Sequence, residues 1–305
     1  MSKKKDDKLD ALIFIDTNIF LDFYRIRKSD ISMKYLEEIE KHKDLIITSN
    51  QVEMEFKKNR QSVILDSISE VKKIKNNGLQ IPAIISNAQA AEMIKKSQKN
   101  IDQQQKKLKQ QIERILKNPK SNDPVYKSLQ KLFKNESPYN LNRENKVRFK
   151  IRNLAKKRFL LGYPPRKKSD NSIGDSVNWE WIISCAEKSG KHIILVTRDT
   201  DFGSSYEGES YLNDWLDQEF KQRISRKRKL ILTERLMTAF KLVQIPVSDE
   251  MIEEEEKILK YNFSESNERI QEALRLFAEK LNLSEWNNNM VKTKDLLDNY
   301  RKSLE

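Results

Sequence analysis

Three short apolar runs, Ala11 to Ile15, Leu45 to Ile47 and Ile193 to Val196, each give way to a polar turn and then to a helical pattern. Runs this short, continuous rather than alternating, are the mark of strands buried on both faces. Parallel strands need crossover connections, and helices between strands supply them with right-handed hand. The pattern therefore predicts an α/β fold with a parallel sheet built from βαβ units. A possible edge strand lies near Leu230 to Leu232, inside an otherwise helical stretch from Asp214 to Leu242.

Between Phe56 and Leu160 the texture changes. Ile64, Ile68, Val71 and Ile74 recur at steps of four, three and three, one face of a helix. Ile94, Ile101, Leu108 and Ile115 recur at seven, with Lys, Gln and Asn on the other faces. The second apolar position of each heptad is often polar, which favours a solvated helical hairpin over an oligomerising coiled coil. The chain thus divides into a core over 10–57 and 162–246, a helical insertion over 58–161, and a C-terminal helical extension over 247–305. No internal repeat is present.

The formal charge is +13 over 305 residues. A surplus of this size attracts polyanions, nucleic acid first among them. Cys185 is the single cysteine, so an intrachain disulfide is excluded, which suits a reducing cytoplasm. The N-terminal segment is charged and lacks a signal-peptide pattern. No apolar run approaches the ~20 residues of a membrane-spanning helix. His42 and His192 stand far apart, which leaves little basis for zinc chemistry or a serine–histidine triad.

Carboxylates sit at the ends of all three runs. Asp16 follows the first, in Ile13-Phe-Ile-Asp-Thr-Asn. Glu55 lies in the helix after the second, in Ser49-Asn-Gln-Val-Glu-Met-Glu-Phe. Asp199 and Asp201 follow the third, in Val196-Thr-Arg-Asp-Thr-Asp-Phe, and Asp175 opens a helix after Gly174. In a parallel α/β sheet the carboxyl ends of strands converge on one crevice. Acids gathered there repel and rise in pKa unless a cation sits between them. An all-oxygen set suits Mg²⁺ or Mn²⁺, which can activate a water and neutralise charge on a phosphate. Glu53 and Glu55 point about 200° apart on a helix, and the face shared by Ser49 and Val52 selects Glu55. Asp199 is nearer the strand end than Asp201 and is the expected ligand, with Asp201 assisting. Thr17, Asn18 and Thr197 flank the acids as hydrogen-bonding support. Taken alone, each acid also has a bland use: Asp175 as a helix N-cap, Asp199 and Asp201 as turn formers, Glu55 as a surface residue.

Arg166, Lys167 and Lys168 precede Asp175 by a few residues and are candidates to grip phosphates, as is Arg198 beside Asp199. Each also has a plain reading as a solvated basic residue. Trp179 and Trp181 are candidates to stack on bases, although Trp181 shares the apolar face of Val177 and Cys185 and reads better as core.

In order along the chain, Phe14-Ile-Asp-Thr-Asn-Ile-Phe-Leu, Ser49-Asn-Gln-Val-Glu-Met-Glu-Phe, Gly174-Asp-Ser-Val-Asn-Trp-Glu and Val196-Thr-Arg-Asp-Thr-Asp-Phe resemble the four acidic motifs of PIN-domain nucleases. Pro164-Pro-Arg-Lys-Lys and the long insertion resemble the PIN-like group whose core is split by a helical insert. The resemblance covers about residues 10–57 and 162–245. It implies a Rossmann-like core, a Mg²⁺ or Mn²⁺ site held by Asp16, Glu55, Asp175 and Asp199, and single-stranded or structured RNA as substrate. Hydrolysis would leave a 5′-phosphate and a 3′-hydroxyl. A DNA or flap-type nuclease on the same core is the alternative, and a non-catalytic RNA-binding protein is another, although all four motif acids are retained. A haloacid-dehalogenase-like phosphatase would need a second aspartate where Asn18 stands.

Overall fold

The computed structural model describes residues 8–26, 28–73, 82–85, 88–166 and 172–260. The elements run β1 (Ala11–Ile15), α1 (Thr17–Asp22), α2 (Ser29–Lys41), β2 (Ile46–Ser49), α3 (Asn50–Lys73), α4 (Gln89–Lys117), α5 (Pro119–Asn122), α6 (Pro124–Phe133), β3 (Asn140–Leu141) and α7 (Val147–Leu161). They continue with α8 (Gly174–Ser189), β4 (His192–Val196), β5 (Gly203–Tyr206), β6 (Glu209–Leu212), α9 (Asp214–Arg223), β7 (Leu230–Thr233) and α10 (Leu236–Leu242).

Five strands form one parallel sheet in the order β3-β2-β1-β4-β7. The fold is the α/β class that the apolar runs predict, and β7 is the expected edge strand. β1 sits in the middle, every residue of it buried, because helices cover both faces. The chain leaves β1 toward β2 on one side and later returns to β4 on the other. The sheet therefore has its switch point between β1 and β4, where ligand crevices of such sheets open. The register there sets Ile15 beside Val196, so the residues that follow each strand, Asp16 and Thr197, emerge side by side. β5 and β6 form a separate antiparallel hairpin immediately after this point.

The expected insertion, 58–161, divides into two parts. α3 carries on without a break from the core into it, and α4 follows as a 29-residue helix. Ile94, Ile101 and Leu108, the heptad positions, are exposed there. The connection over 74–81, which would close a hairpin, lies outside the described residues. The second part joins the core. β3 pairs with β2 through Thr48 and Ser49, and Val125, Leu129 and Leu132 of α6 and Ile151 and Ala155 of α7 belong to the same buried cluster as the sheet. Two residues make too short a strand to show as an apolar run. β3 is anchored instead by Asn140, which donates from Nδ2 to the carbonyls of Phe133 and Asn135.

Arg60 and Asp123 form a buried ion pair that ties α3 to the start of α6. The Asp123 carboxylate also accepts from Tyr24 and caps α6 through the Tyr126 amide. A last helical stretch begins at residue 249, and Glu255 within it accepts from the backbone amides of Leu236 and Met237, covering the open N-terminus of α10. Residues 1–255 form one compact unit and 256–305 a second. Of the second only 256–260, which are helical, are described, so the expected C-terminal helices beyond them lie outside the described residues. None of the described helices is long and apolar enough to cross a membrane.

Candidate active site

Asp16 caps α1 from the end of β1, accepting from the Thr17 amide at 2.6 Å. Its other oxygen accepts from Thr197 Oγ1 at 2.6 Å and Asn18 Nδ2 at 2.9 Å. The adjacent strands thus lock the carboxylate in place, with Thr17, Asn18 and Thr197 in the supporting positions that the sequence suggests. Asn18 Oδ1 is left buried with no hydrogen-bond partner.

Glu55 approaches from the first turns of α3. Ser49 Oγ accepts from the Val52 amide and donates to Asn178 on α8, which fixes the direction in which α3 leaves the sheet. Glu55 Oε2 accepts from Thr17 Oγ1 at 3.0 Å, and Oε1 accepts from Gln51 Nε2 at 2.7 Å. Glu53 pairs instead with Lys57 on the outer side of the helix. The helical-face reasoning that separated the two glutamates therefore agrees with their placement.

Burial is the main reason that the Asp16 carboxyl is pushed up to about 6, and the nearby charges of Glu55 and Asp199 add to it against the Thr197 and Thr17 hydrogen bonds. Thr197 Oγ1 donates to Asp16 and accepts from the Asp199 amide, so the two acids stand at the same end of the sheet.

Asp175, Asp199 and Asp201 each offer a carboxylate oxygen within 4.8 Å of the others. Asp175 stands in the first turn of α8, one residue inside it. The N-cap position belongs to Ile173, which makes no side-chain cap, so capping does not account for this acid. Asp199 and Asp201 follow β4 in a tight turn. The Asp199 amide donates to Thr197 Oγ1 and the Asp201 amide to Asp199 Oδ1. The turn brings Asp201, expected only to assist, into the same group as Asp199 and Asp175.

Two residues contribute that sequence reasoning passed over. Gly174 leaves room for Glu55, since a Cβ there would overlap Glu55 Oε1 and come within 2.9 Å of Gln51 Nε2. Gln51 holds Glu55 in turn. Their i, i+4 spacing was the available signal.

The basic candidates part company. Arg198 is largely buried and pairs with Asp22, with Glu255 and Glu234 also near it. Its guanidinium is engaged by acids within the fold. Arg166 is exposed, its guanidinium 4.6 Å from the Phe159 ring centroid. The loop that bears it is joined to α8 through Ser176 Oγ, which donates to the Pro165 carbonyl. Lys167 and Lys168 lie outside the described residues. Trp179 and Trp181 are both fully buried. Trp181 Nε1 donates to the Thr48 carbonyl, and Trp179 Nε1 to Glu219. Neither can stack on a base.

The donor set fits a hard divalent cation. It consists of carboxylate oxygens, held by hydroxyl and amide groups, with an unsatisfied amide oxygen close by. His192 opens β4 at the strand's far end and accepts there from the Lys229 amide. No curated protein and no solved structure matches the chain. A family model described as the PIN domain does match, over residues 13–202. That span covers more than half of the chain and contains Asp16, Glu55, Asp175, Asp199 and Asp201, so the chain belongs to the PIN-domain family, a family of metal-dependent nucleases.

Proposed function

We propose that this protein is an endoribonuclease that hydrolyses RNA phosphodiesters with Mg²⁺ or Mn²⁺ held by Asp16, Glu55, Asp175 and Asp199, and with Asp201 beside them. The observation that carries the proposal is the meeting of Asp175, Asp199 and Asp201 within 4.8 Å at the switch point where Asp16 already feels the charge of Asp199. When bound, the ion supplies activation of a water and neutralisation of charge on the phosphate. Thr17, Asn18 and Thr197 hold the Asp16 carboxylate so that it need not reorganise during reaction. Gln51 and Thr17 do the same for Glu55. Among the described residues, the hydrogen-bond donors around both carboxylates are neutral, so neither spends charge on a fixed basic partner there.

RNA is favoured by the net charge of +13, by the exposed Arg166 on the loop tied to α8, and by the family resemblance. The expected products are a 5′-phosphate and a 3′-hydroxyl. The single cysteine, Cys185, is buried and free, which accords with the reducing cytoplasm as the setting. The test is cleavage of labelled single-stranded RNA and DNA of one sequence with Mg²⁺, Mn²⁺ or EDTA. RNA cleavage that EDTA abolishes, and that Asp16→Asn abolishes, is the expected result. Faster cleavage of DNA would move the assignment to the DNA or flap-type reading. Undiminished cleavage by the Asp16 variant would refute the site.

A further inference from the structure

The loop that runs into α8 carries Tyr163, and α9 carries Trp215 in its first turn. Their rings stack, with centroids 5.3 Å apart and planes 21° from parallel. Both remain substantially exposed, Tyr163 at 41% and Trp215 at 46%. Burial of two large aromatic rings is ordinarily favourable, so a stacked pair left in water is a surface suited to another flat apolar partner. Beside the pair lies a cleft of about 170 Å³ lined by Arg158, Tyr163, Trp215, Gln218, Glu219 and Gln222.

The floor of the cleft is electrically settled. Arg158 pairs with Glu180 and Glu219, and Arg223 pairs with the same two glutamates. Two cations thus face two anions, and a phosphate finds no uncommitted charge there. What remains at the rim is two aromatic faces and the exposed amides of Gln218 and Gln222, which stand i, i+4 on α9. An amide side chain both donates and accepts, as the edge of a nucleobase does. The platform is also tied to the acids: Tyr163 lies two residues before Pro165, whose carbonyl accepts from Ser176, the residue after Asp175.

We propose that Tyr163 and Trp215 form a stacking platform for one unpaired nucleobase of the nucleic acid strand, with Gln218 and Gln222 meeting the base edge. The inference rests on the nuclease reading above and extends it to a base-binding subsite. It assigns the stacking function to Tyr163 and Trp215, in place of the buried Trp179 and Trp181.

The test uses the full chain carrying Asp16→Asn, so that strands are bound and not cut. Binding of a fluorescein-labelled single-stranded RNA 12-mer, the same sequence in DNA, and an RNA 12-mer with abasic positions is followed by anisotropy over a range of salt. Adding Trp215→Ala is expected to weaken binding of both base-bearing strands roughly 10-fold and leave the abasic strand unchanged. The salt slope stays constant, because no phosphate contact is lost. Trp215→Phe, which keeps a ring, restores most of the affinity and guards against a folding artefact. Gln218→Ala, at an exposed helix position, reduces discrimination between bases. Equal affinity of the parent and Trp215→Ala for base-bearing RNA and DNA overturns the platform. So does an equal loss for the abasic strand. If only the RNA or only the DNA arm responds, the platform stands and the responding strand names the ligand. Cleavage by the Asp16-containing chain is scored separately, so a failed platform with intact cleavage is distinct from a failed nuclease.

Discussion

Asp16 makes a prediction that does not depend on knowing the substrate. Its carboxyl sits at about 6 in the folded chain, against an ordinary value of 3.8. The folded state therefore binds the proton more tightly than the unfolded state does. Below pH 3.8 the acid is neutral in both states and carries no penalty. As pH rises through the window from 3.8 to about 6, the unfolded chain ionises first and stability is lost. By pH 7 the full penalty is present, about 3 kcal/mol from the distance between the two values. Asp16→Asn removes this contribution at every pH. It also sets an amide where a carboxylate accepted from Thr17, Asn18 and Thr197, a cost of about 1 kcal/mol per disturbed bond that does not change with pH. The quantity to measure is thus the difference in unfolding free energy between the two proteins, in EDTA, by denaturant titration at pH 4, 5, 6 and 7. Other acids with raised values, such as the buried Glu255, contribute equally to both proteins and cancel. The difference should move in favour of the variant by about 2.4 kcal/mol between pH 4 and pH 7. In thermal melts that corresponds to roughly 5–10 °C for a unit of this size. Saturating Mg²⁺ or Mn²⁺ should stabilise the parent more than the variant and reverse the trend. Parallel curves across the whole range would refute the reasoning.

Gly174→Ala inserts a methyl group against the free ends of Glu55 and Gln51, which can swing aside; stability should change by less than about 1 kcal/mol, while displacement of Glu55 should depress cleavage, as measured by unfolding and by activity at saturating metal. Arg198→Ala leaves Asp22 with one fewer cation in a buried setting, so about 3 kcal/mol of stability should be lost, while the salt slope of RNA binding in the folded fraction stays the same. Divalent metal at 100 times its dissociation constant should raise unfolding free energy by about 2.7 kcal/mol, and Asp199→Ala should abolish most of that gain in a calorimetric melt. Glu53→Gln, on the outer side of α3, should leave cleavage within a factor of two, in contrast with Glu55→Gln.

Much of this site was legible because the chemistry and the topology reinforce each other. Asp16, Glu55 and Asp199 all follow apolar runs that could only be buried strands, so one rule about strand ends placed them. Helical geometry then separated Glu55 from Glu53. What escaped had no local signature. Whether Arg198 faces a substrate or the core depends on Asp22, which reaches it from another element. Trp179 lies on a helix whose buried residues extend nearly all the way round, so apolar periodicity could not tell inside from outside. β3 is two residues long and is held by side-chain bonds from Asn140, which resemble those of any polar turn until the sheet beside it is seen. Gly174 is, in the sequence, only the residue before the Asp175 helix; in the fold it leaves room for a carboxylate from α3.

The placement of neutral donors follows from what the acids must do. A lysine or arginine beside Asp16 would lower its pKa and stabilise the folded chain, but it would also compete with a cation for the same oxygens. Threonine hydroxyls and amide groups orient the carboxylates without neutralising them. The nearest arginine in sequence, Arg198, is drawn away to Asp22. Among the described residues Asp16 has no fixed cationic partner; its burial destabilises the fold, and a divalent ion would relieve that destabilisation. The instability and the affinity are two measurements of one free energy. Mutations that make the metal-free protein more stable at neutral pH by removing an acid should therefore weaken metal binding by a comparable amount, and a stabilising loss of Asp16 with unchanged metal affinity would break that equivalence.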